Sequence, residues 1–186
     1  MTLTHDATDL ILPGGANITT AAGDEAEFIE YATGDYRCTN YSKASGEGVI
    51  ASGKVLQVVT YQYAGAWSTT STTFVDTNLS VNITPASTDN KILIMITCGI
   101  APGADSAWGT IERTVGVTET NLGGATEGFS GWSSGVSIGN ISYLDSPSTT
   151  SEATYKFQIR SGGGGTIEAS YAGSGQQSII VIEVEG

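Results

Sequence analysis

Length, composition and charge narrow what this chain can be. Its 186 residues are enough for one ordinary domain with a small additional module. Only 14% of the residues are charged, against about 25% in an average domain, and Ser, Thr and Gly take their place. The net charge is −12 and no Lys or Arg cluster is present, which argues against a nucleic-acid partner or an anionic membrane surface.

The first 50 residues contain short strand-like segments separated by turn signals. We predict strands at residues 10–12, 25–31 and 35–41, because glycine-containing turns divide them. Asp24 and Glu27 also match the pattern of a helix capping box. The segment is short and bounded by glycines, so we favour a strand there over a helix.

The sequence divides near residue 52. Residues 46–53 are glycine-rich and are expected to connect two parts, so we predict a small β module at 1–52 and a β-sandwich at 53–186. The first module has too few apolar residues to close a core alone. We therefore expect it to be intertwined with, or packed on, copies of itself or another protein.

The second part has a stronger strand pattern. Residues 153–160 alternate apolar and polar side chains, which places one face of the strand on a core and the other in water. Lys91–Cys98 is apolar on both faces, as expected for a central strand. Further strands are predicted at 55–63, 79–83, 107–115, 136–144, 166–171 and 178–185, with loops at 68–73, 122–135 and 161–165.

These eight or nine predicted strands fall within about 130 residues, and no convincing helix accompanies them. The sequence therefore predicts an all-β chain, with a β-sandwich or jelly roll following the small N-terminal β module.

Little in the sequence points to catalysis or to a metal. His5 is the only histidine, so neither a metal set nor a catalytic triad has a second imidazole to use. No two carboxylates stand out as an acid–base pair among the candidates in loops and strand ends, which are Asp105, Glu112, Glu119 and Asp145. The four glycines at 162–165 precede a strand rather than a helix, which favours a flexible hairpin connection over a phosphate loop. We predict no enzymatic activity, no cofactor and no metal.

The tryptophans offer one candidate binding site. Trp132 and Trp67 lie among Gly, Ser and Ala residues, where an exposed indole would stack on a sugar ring. Large aromatic residues in β-sandwiches are more often core or interface residues, and that interpretation stays open for both.

Two further features concern the compartment. Cys38 and Cys98 are the only cysteines, and they either form a disulfide or stay as buried thiols. The N-terminus lacks the basic start and apolar core of a signal peptide. The longest apolar run, Ile92–Ile96, is too short to span a membrane, so we expect synthesis in a cytoplasm without membrane insertion.

Two groups of segments resemble structural proteins of tailed bacteriophages. Residues 3–24, from LTHDATDLILPGG to AAGD, followed by YATGDYRC at 31–38, resemble a small module of phage tail fibres. SYLDSP at 142–147 and TYKFQIR at 154–160 are similar to a jelly-roll-like domain of phage virion proteins. The short segments GKVLQVV at 53–59, ITP at 83–85 and IEV at 182–184 extend this second resemblance.

The resemblance covers nearly the whole chain and implies a virion location without any catalytic residues. It also implies a homotrimer, because proteins of this kind are commonly trimeric, and a trimer would account for the thin first module. The expected partners are other copies of the chain, other tail or capsid proteins and a host surface glycan.

Three functions follow as expectations. The first is a trimeric tail fibre or similar appendage involved in host attachment. The second is a capsid decoration or cement protein that stabilises the head, suggested because Met1 stands directly before the module where a tail fibre normally has an anchor. The third is a glycan-binding module that uses Trp132 and Trp67.

Overall fold

A computed structural model of the protein describes residues 1–46, 53–103, 105–133, 135–169 and 176–186. The chain divides into two compact units, Met1–Lys54 and Val55–Gly186. Most of the predicted connector at 46–53 lies outside the described residues.

The first unit is built from two small sheets. Strands β1 and β3 form an antiparallel pair, and β2, β5 and β4 form a three-stranded sheet in that order, with β2 parallel to β5. A 3-10 turn at Pro13–Gly15 separates β2 from β3. The strands are β1 (Thr2–Leu3), β2 (Leu10–Ile11), β3 (Ile18–Thr19), β4 (Glu25–Ala32) and β5 (Asp35–Ser42).

The segment with the capping-box pattern is the strand β4, as favoured from the sequence. The Asp24 carboxylate accepts hydrogen bonds from the Ala21 amide at 2.8 Å, the Tyr41 hydroxyl at 2.6 Å and the Ala44 amide at 2.9 Å. These bonds lower the pKa of Asp24 to about 2. Asp24 therefore fixes the turn before β4 instead of beginning a helix.

The core of the first unit is small. Its fully buried apolar residues are Leu12, Ile18 and Cys38. Every residue of β4 is exposed, including Phe28 at 40% and Ile29 at 50%. The thin core agrees with the small number of apolar residues, and packing on a partner stays a prediction.

The second unit is a β-sandwich of two sheets. One sheet has the strand order β6–β16–β9–β13. At one end of this sheet the short strands β7 and β15 take the places of β6 and β16. The other sheet has the order β8–β14–β10–β11, and β12 pairs with β10 on the same side as β11. The strands are β6 (Val55–Tyr63), β7 (Trp67–Thr69), β8 (Val75–Ile83), β9 (Lys91–Ala101), β10 (Ala107–Val115), β11 (Thr118–Asn121), β12 (Ser130–Trp132), β13 (Ser137–Asp145), β14 (Ala153–Ser161), β15 (Ile167–Ala169) and β16 (Gln177–Val184).

The topology is that of a jelly roll. Each of the pairs β6/β7, β11/β12 and β15/β16 acts as one strand with a break in it. Counted in this way, the described part of the second unit has eight strands, numbered 1 to 8 in chain order, and the two sheets have the strand orders 1-8-3-6 and 2-7-4-5. Two four-stranded sheets with Greek-key connections define this architecture. The all-β sandwich predicted from the sequence is therefore confirmed.

The sequence missed the two-residue strands β1 and β3 of the first unit and three short strands of the second. The predicted loop at 68–73 begins inside β7, and the predicted loop at 122–135 contains β12, whereas β11 was not predicted at all. These last three strands have only three or four residues, too few to show a two-residue period, and they form by pairing with longer neighbours.

The hydrophobic core lies between the two sheets. Strand β9 occupies a central position between β16 and β13, as predicted, and its residues Ile92, Ile94 and Ile96 are buried. Its other face carries Met95, which is 44% exposed. In the part of the chain that the structure describes, β9 is therefore covered on one face only, although it is apolar on both.

A buried polar group joins the two sheets. Arg113 donates two hydrogen bonds of 2.8 Å to the carboxylate of Asp145, and the Tyr155 hydroxyl donates a third of 2.7 Å. Asp145 ends β13 in one sheet, whereas Arg113 and Tyr155 lie on β10 and β14 in the other. Burial and the hydrogen bond to Asp145 raise the pKa of Tyr155, so its hydroxyl stays a donor.

A second buried carboxylate fixes the loop after β8. Glu183 is fully buried and accepts hydrogen bonds from Gln57 at 2.5 Å, Asn90 at 2.6 Å and the Ala86 amide at 2.7 Å. Desolvation raises the pKa of Glu183, but these three donors outweigh that effect and lower it below the usual value. Both carboxylates thus have structural partners.

Candidate functional site: an apolar sheet face

The two outer surfaces of the sandwich differ in chemistry. On the β6–β16–β9–β13 sheet, one row of outward side chains runs straight across all four strands. Val58 lies opposite Ile182, Ile182 opposite Leu93, and Leu93 opposite Leu144. Directly opposed side chains on one face of a sheet are in contact. The row is therefore a continuous apolar band.

A second apolar pair lies beside this band. Ile180 is opposite Met95 in the adjacent strand, two residues along from the first row. We call these six residues the apolar face: Val58, Leu93, Met95, Leu144, Ile180 and Ile182. Among them Val58 is 58% exposed, Leu144 is 49% exposed and Met95 is 44% exposed.

The rows that flank the apolar face differ from each other. On one side Gln62, Ser178, Thr97 and Asn140 are opposite one another in turn, and Thr97 donates a 2.9 Å hydrogen bond to Asn140. On the other side Val55, Val184 and Lys91 are opposite one another in turn, so this row is apolar except at Lys91. Across these described rows the outward positions include no Asp or Glu, although the chain contains nineteen.

The outer surface of the opposite sheet is polar and internally bonded. Lys156 contacts Asp76 at 2.9 Å and Glu112 at 3.3 Å, and Gln158 donates bonds of 2.7 Å to the same two carboxylates. The hydrogen bond to Asp76 and then the bond to Glu112 raise the pKa of Lys156 against its desolvation. This surface is suited to contact with water and contrasts with the apolar face.

A further candidate carboxylate, Asp105, also has a structural role. Asp105 accepts hydrogen bonds of 2.7 Å from the Ser161 hydroxyl, 2.9 Å from the Gly165 amide and 2.7 Å from the Ser106 and Gly163 amides. These bonds hold its pKa well below the usual value. The glycine run at 162–165 is therefore held in place by one side chain. It is also not a hairpin, because it crosses from β14 in one sheet to β15 in the other.

Trp132 lies at the margin of the core. It is half-buried, and its six-membered ring packs so closely on Gly139 that a Cβ atom there would lie 2.4 Å from the indole carbon Cζ2. The indole also packs on Gly109, where a Cβ atom would lie 2.9 Å from Cη2. Part of the ring that would stack on a sugar is therefore occupied by the protein.

Trp67 borders a shallow cleft of about 270 Å³ together with Ala66, Ser68 and Glu168. In the β7–β15 pair, Trp67 is opposite Ala169 on the core side, whereas Glu168 is opposite Ser68 on the outer side. The indole and the carboxylate thus point to different faces of the sheet. Trp67 and Trp132 are not brought together in one site, and glycan binding by either stays a prediction.

The remaining candidates are also occupied within the structure. His5 accepts a 3.1 Å hydrogen bond from the Leu12 amide through Nδ1. Cys38 and Cys98 are buried thiols and do not form a disulfide, which answers the question of their pairing. Within the described ranges no group of His, Cys, Asp and Glu is placed to hold a metal ion. In the same part of the chain no helix has the length and apolar character needed to cross a membrane.

Sequence reasoning missed the apolar face. The available signal was the apolar character of both faces of β9, together with the run Ile179–Ile180–Val181–Ile182 in β16. The pattern predicted a central strand at Lys91–Cys98 but did not show which of its faces is covered, since only the assembled sheets show which face has a second layer.

No family model matches this sequence, and no curated protein matches it significantly.

Proposed function

We propose that the protein is a non-enzymatic structural component of a tailed-bacteriophage virion, a homotrimeric tail fibre or similar appendage used in host attachment. The observation that carries the proposal is the apolar face on a rigid jelly roll. A contiguous exposed apolar surface generally marks a protein–protein contact. A protein of this kind acts by assembly rather than by chemistry.

The sequence resemblance supports the virion part of the proposal. Two of its segments contain Asp145 and Tyr155, which meet in the buried polar group at 2.7 Å. The segments that resemble phage proteins thus supply framework residues of the sandwich, as expected if they preserve a scaffold.

A capsid decoration protein is the second candidate, and one observation favours it. The first unit exposes its own apolar residues, with Phe28 at 40%, Tyr31 at 44% and Tyr36 at 43%. A chain with apolar surface on both units has enough for contacts with its own copies and with a capsid lattice.

The deciding experiment is to locate the protein on purified particles. Val117 is 99% exposed at the turn between β10 and β11, so Val117→Cys introduces an accessible thiol, whereas Cys38 and Cys98 are buried. Particles carrying this variant would be labelled with maleimide-coupled gold and imaged beside particles with the unchanged chain. Gold at the tail is expected; gold on the head would support decoration, and particles that lack the protein would contradict both.

A further inference from the structure

We infer that the apolar face is the subunit contact of a homotrimer, covered in each copy by neighbouring copies around a three-fold axis. This inference rests on the proposed function, which implies a trimer but does not specify the surface that forms it.

Charge favours copies of the chain meeting at this face. Each copy has a net charge of −12, so association brings like charges together and opposes binding. Repulsion is weakest where the approaching surfaces have no carboxylates, and the rows of the apolar face have none. A basic partner would instead be attracted to the carboxylates elsewhere on the chain.

The size of the face suits the centre of a subunit interface. Strands lie about 4.8 Å apart, and each row takes about 6.8 Å along a strand. The first row crosses four strands and the second crosses two, so the six residues cover a flat area of roughly 200 Å². A stable interface buries about 800 Å² on each partner. The face therefore supplies the dry centre, and the flanking rows and sheet edges would supply the remainder.

The arrangement of side chains has the same organisation. Interfaces between identical subunits have an apolar centre and a polar rim. Here Met95 and Ile180 lie beside the apolar band, and the row of Thr97 and Asn140 follows. The bond between Thr97 and Asn140 is made within one chain at 2.9 Å, so this rim is not left unpaired when a neighbour covers it.

The test introduces one charge on the apolar face and the same charge on the opposite outer surface. Met95→Glu is the test variant, and Thr154→Glu, on the polar sheet, is the matched control. Light scattering at micromolar concentration is expected to give three times 19.1 kDa for the unchanged chain and for Thr154→Glu. Met95→Glu is expected to give 19.1 kDa, a threefold loss of mass.

Circular dichroism distinguishes a dissociated, folded protein from an unfolded one. If Met95→Glu does not fold, Ile180→Thr is used instead, because it is a milder change opposite Met95 and should also weaken the trimer. A Met95→Glu protein that stays trimeric, or an unchanged chain that is not a trimer, would overturn the inference. The two proposals fail in different ways. A trimer that Met95→Glu dissociates but that is absent from particles would overturn the virion proposal and leave the subunit contact intact.

Discussion

Removing the carboxylate that joins the two sheets should destabilise the second unit strongly. Asp145→Ala leaves the Arg113 guanidinium and the fully buried Tyr155 hydroxyl without their partner. Breaking a buried ion pair on one side costs about 3–5 kcal/mol, because the remaining charge stays desolvated. We expect this range because the Arg113 side chain is only 18% exposed.

The expected change in melting temperature follows from the size of the unit. With an unfolding entropy of about 2.1 cal/mol/K per residue, a unit of roughly 130 residues shifts by about 3.6 °C for each kcal/mol. Asp145→Ala should therefore melt about 11–18 °C below the unchanged protein. Tyr155→Phe removes only one hydrogen bond to a charged acceptor, which is worth about 1.5–3 kcal/mol, and should melt roughly 5–11 °C lower.

The assay is thermal unfolding followed by circular dichroism at one fixed protein concentration, because the melting temperature of an oligomer depends on concentration. Glu119→Ala, at an exposed position of β11, is the control and should stay within about 0.5 kcal/mol. The triple variant Arg113→Met, Asp145→Leu, Tyr155→Phe should regain much of the loss, since no charge is left unpaired. Asp145→Ala melting within the error of Glu119→Ala would refute the reasoning.

Three other changes test separate parts of the structure. Glu183→Gln replaces one carboxylate oxygen by an amide donor, which then faces the Gln57 donor or the pair of donors from Ala86 and Asn90. This change should lower the free energy of unfolding by about 1–3 kcal/mol, measured with denaturant; no loss would show that the carboxylate is not needed. Gly139→Ala places a methyl group 2.4 Å from Cζ2 of Trp132. This overlap should lower the free energy of unfolding by about 1–3 kcal/mol in the same assay. An unchanged midpoint would mean that the indole moves aside freely. NMR should show Asp24 titrating with a pKa of about 2, below the pKa of 3.8 for a free carboxyl group. The ionised carboxylate therefore stabilises the fold fully above about pH 4, and this stabilisation is lost as the pH falls through 2. Tyr41→Phe should move that titration towards 3.8, and an unchanged midpoint would exclude the hydroxyl as a cause.

Local pattern predicted the long strands well. The bounds of β6 agree with the predicted 55–63, and β10 agrees with 107–115, because each is a run rich in β-branched and aromatic residues between turn signals. Strand β12 has three residues, two of them Ser and Gly, and depends on pairing with β10. Such a strand is defined by its partner and has no independent sequence signal.

The site was harder to predict for the same reason. Met95 and Ile94 are both apolar neighbours in β9, yet one is 44% exposed and the other is fully buried. Asp145 looked like a solvated loop residue, but it binds Arg113, which lies 32 positions earlier. Both outcomes depend on which strands pair and which face has a second sheet, and these are long-range properties.

The glycine run at 162–165 has a consequence for how the protein withstands proteases. Consecutive glycines are normally a preferred site of cleavage, because an extended, mobile backbone fits a protease cleft. Here the amides of Gly163 and Gly165 are bound to the Asp105 carboxylate, so the segment must first break those bonds to enter a cleft. One aspartate thus gives a glycine-rich connection the resistance to digestion of an ordered turn.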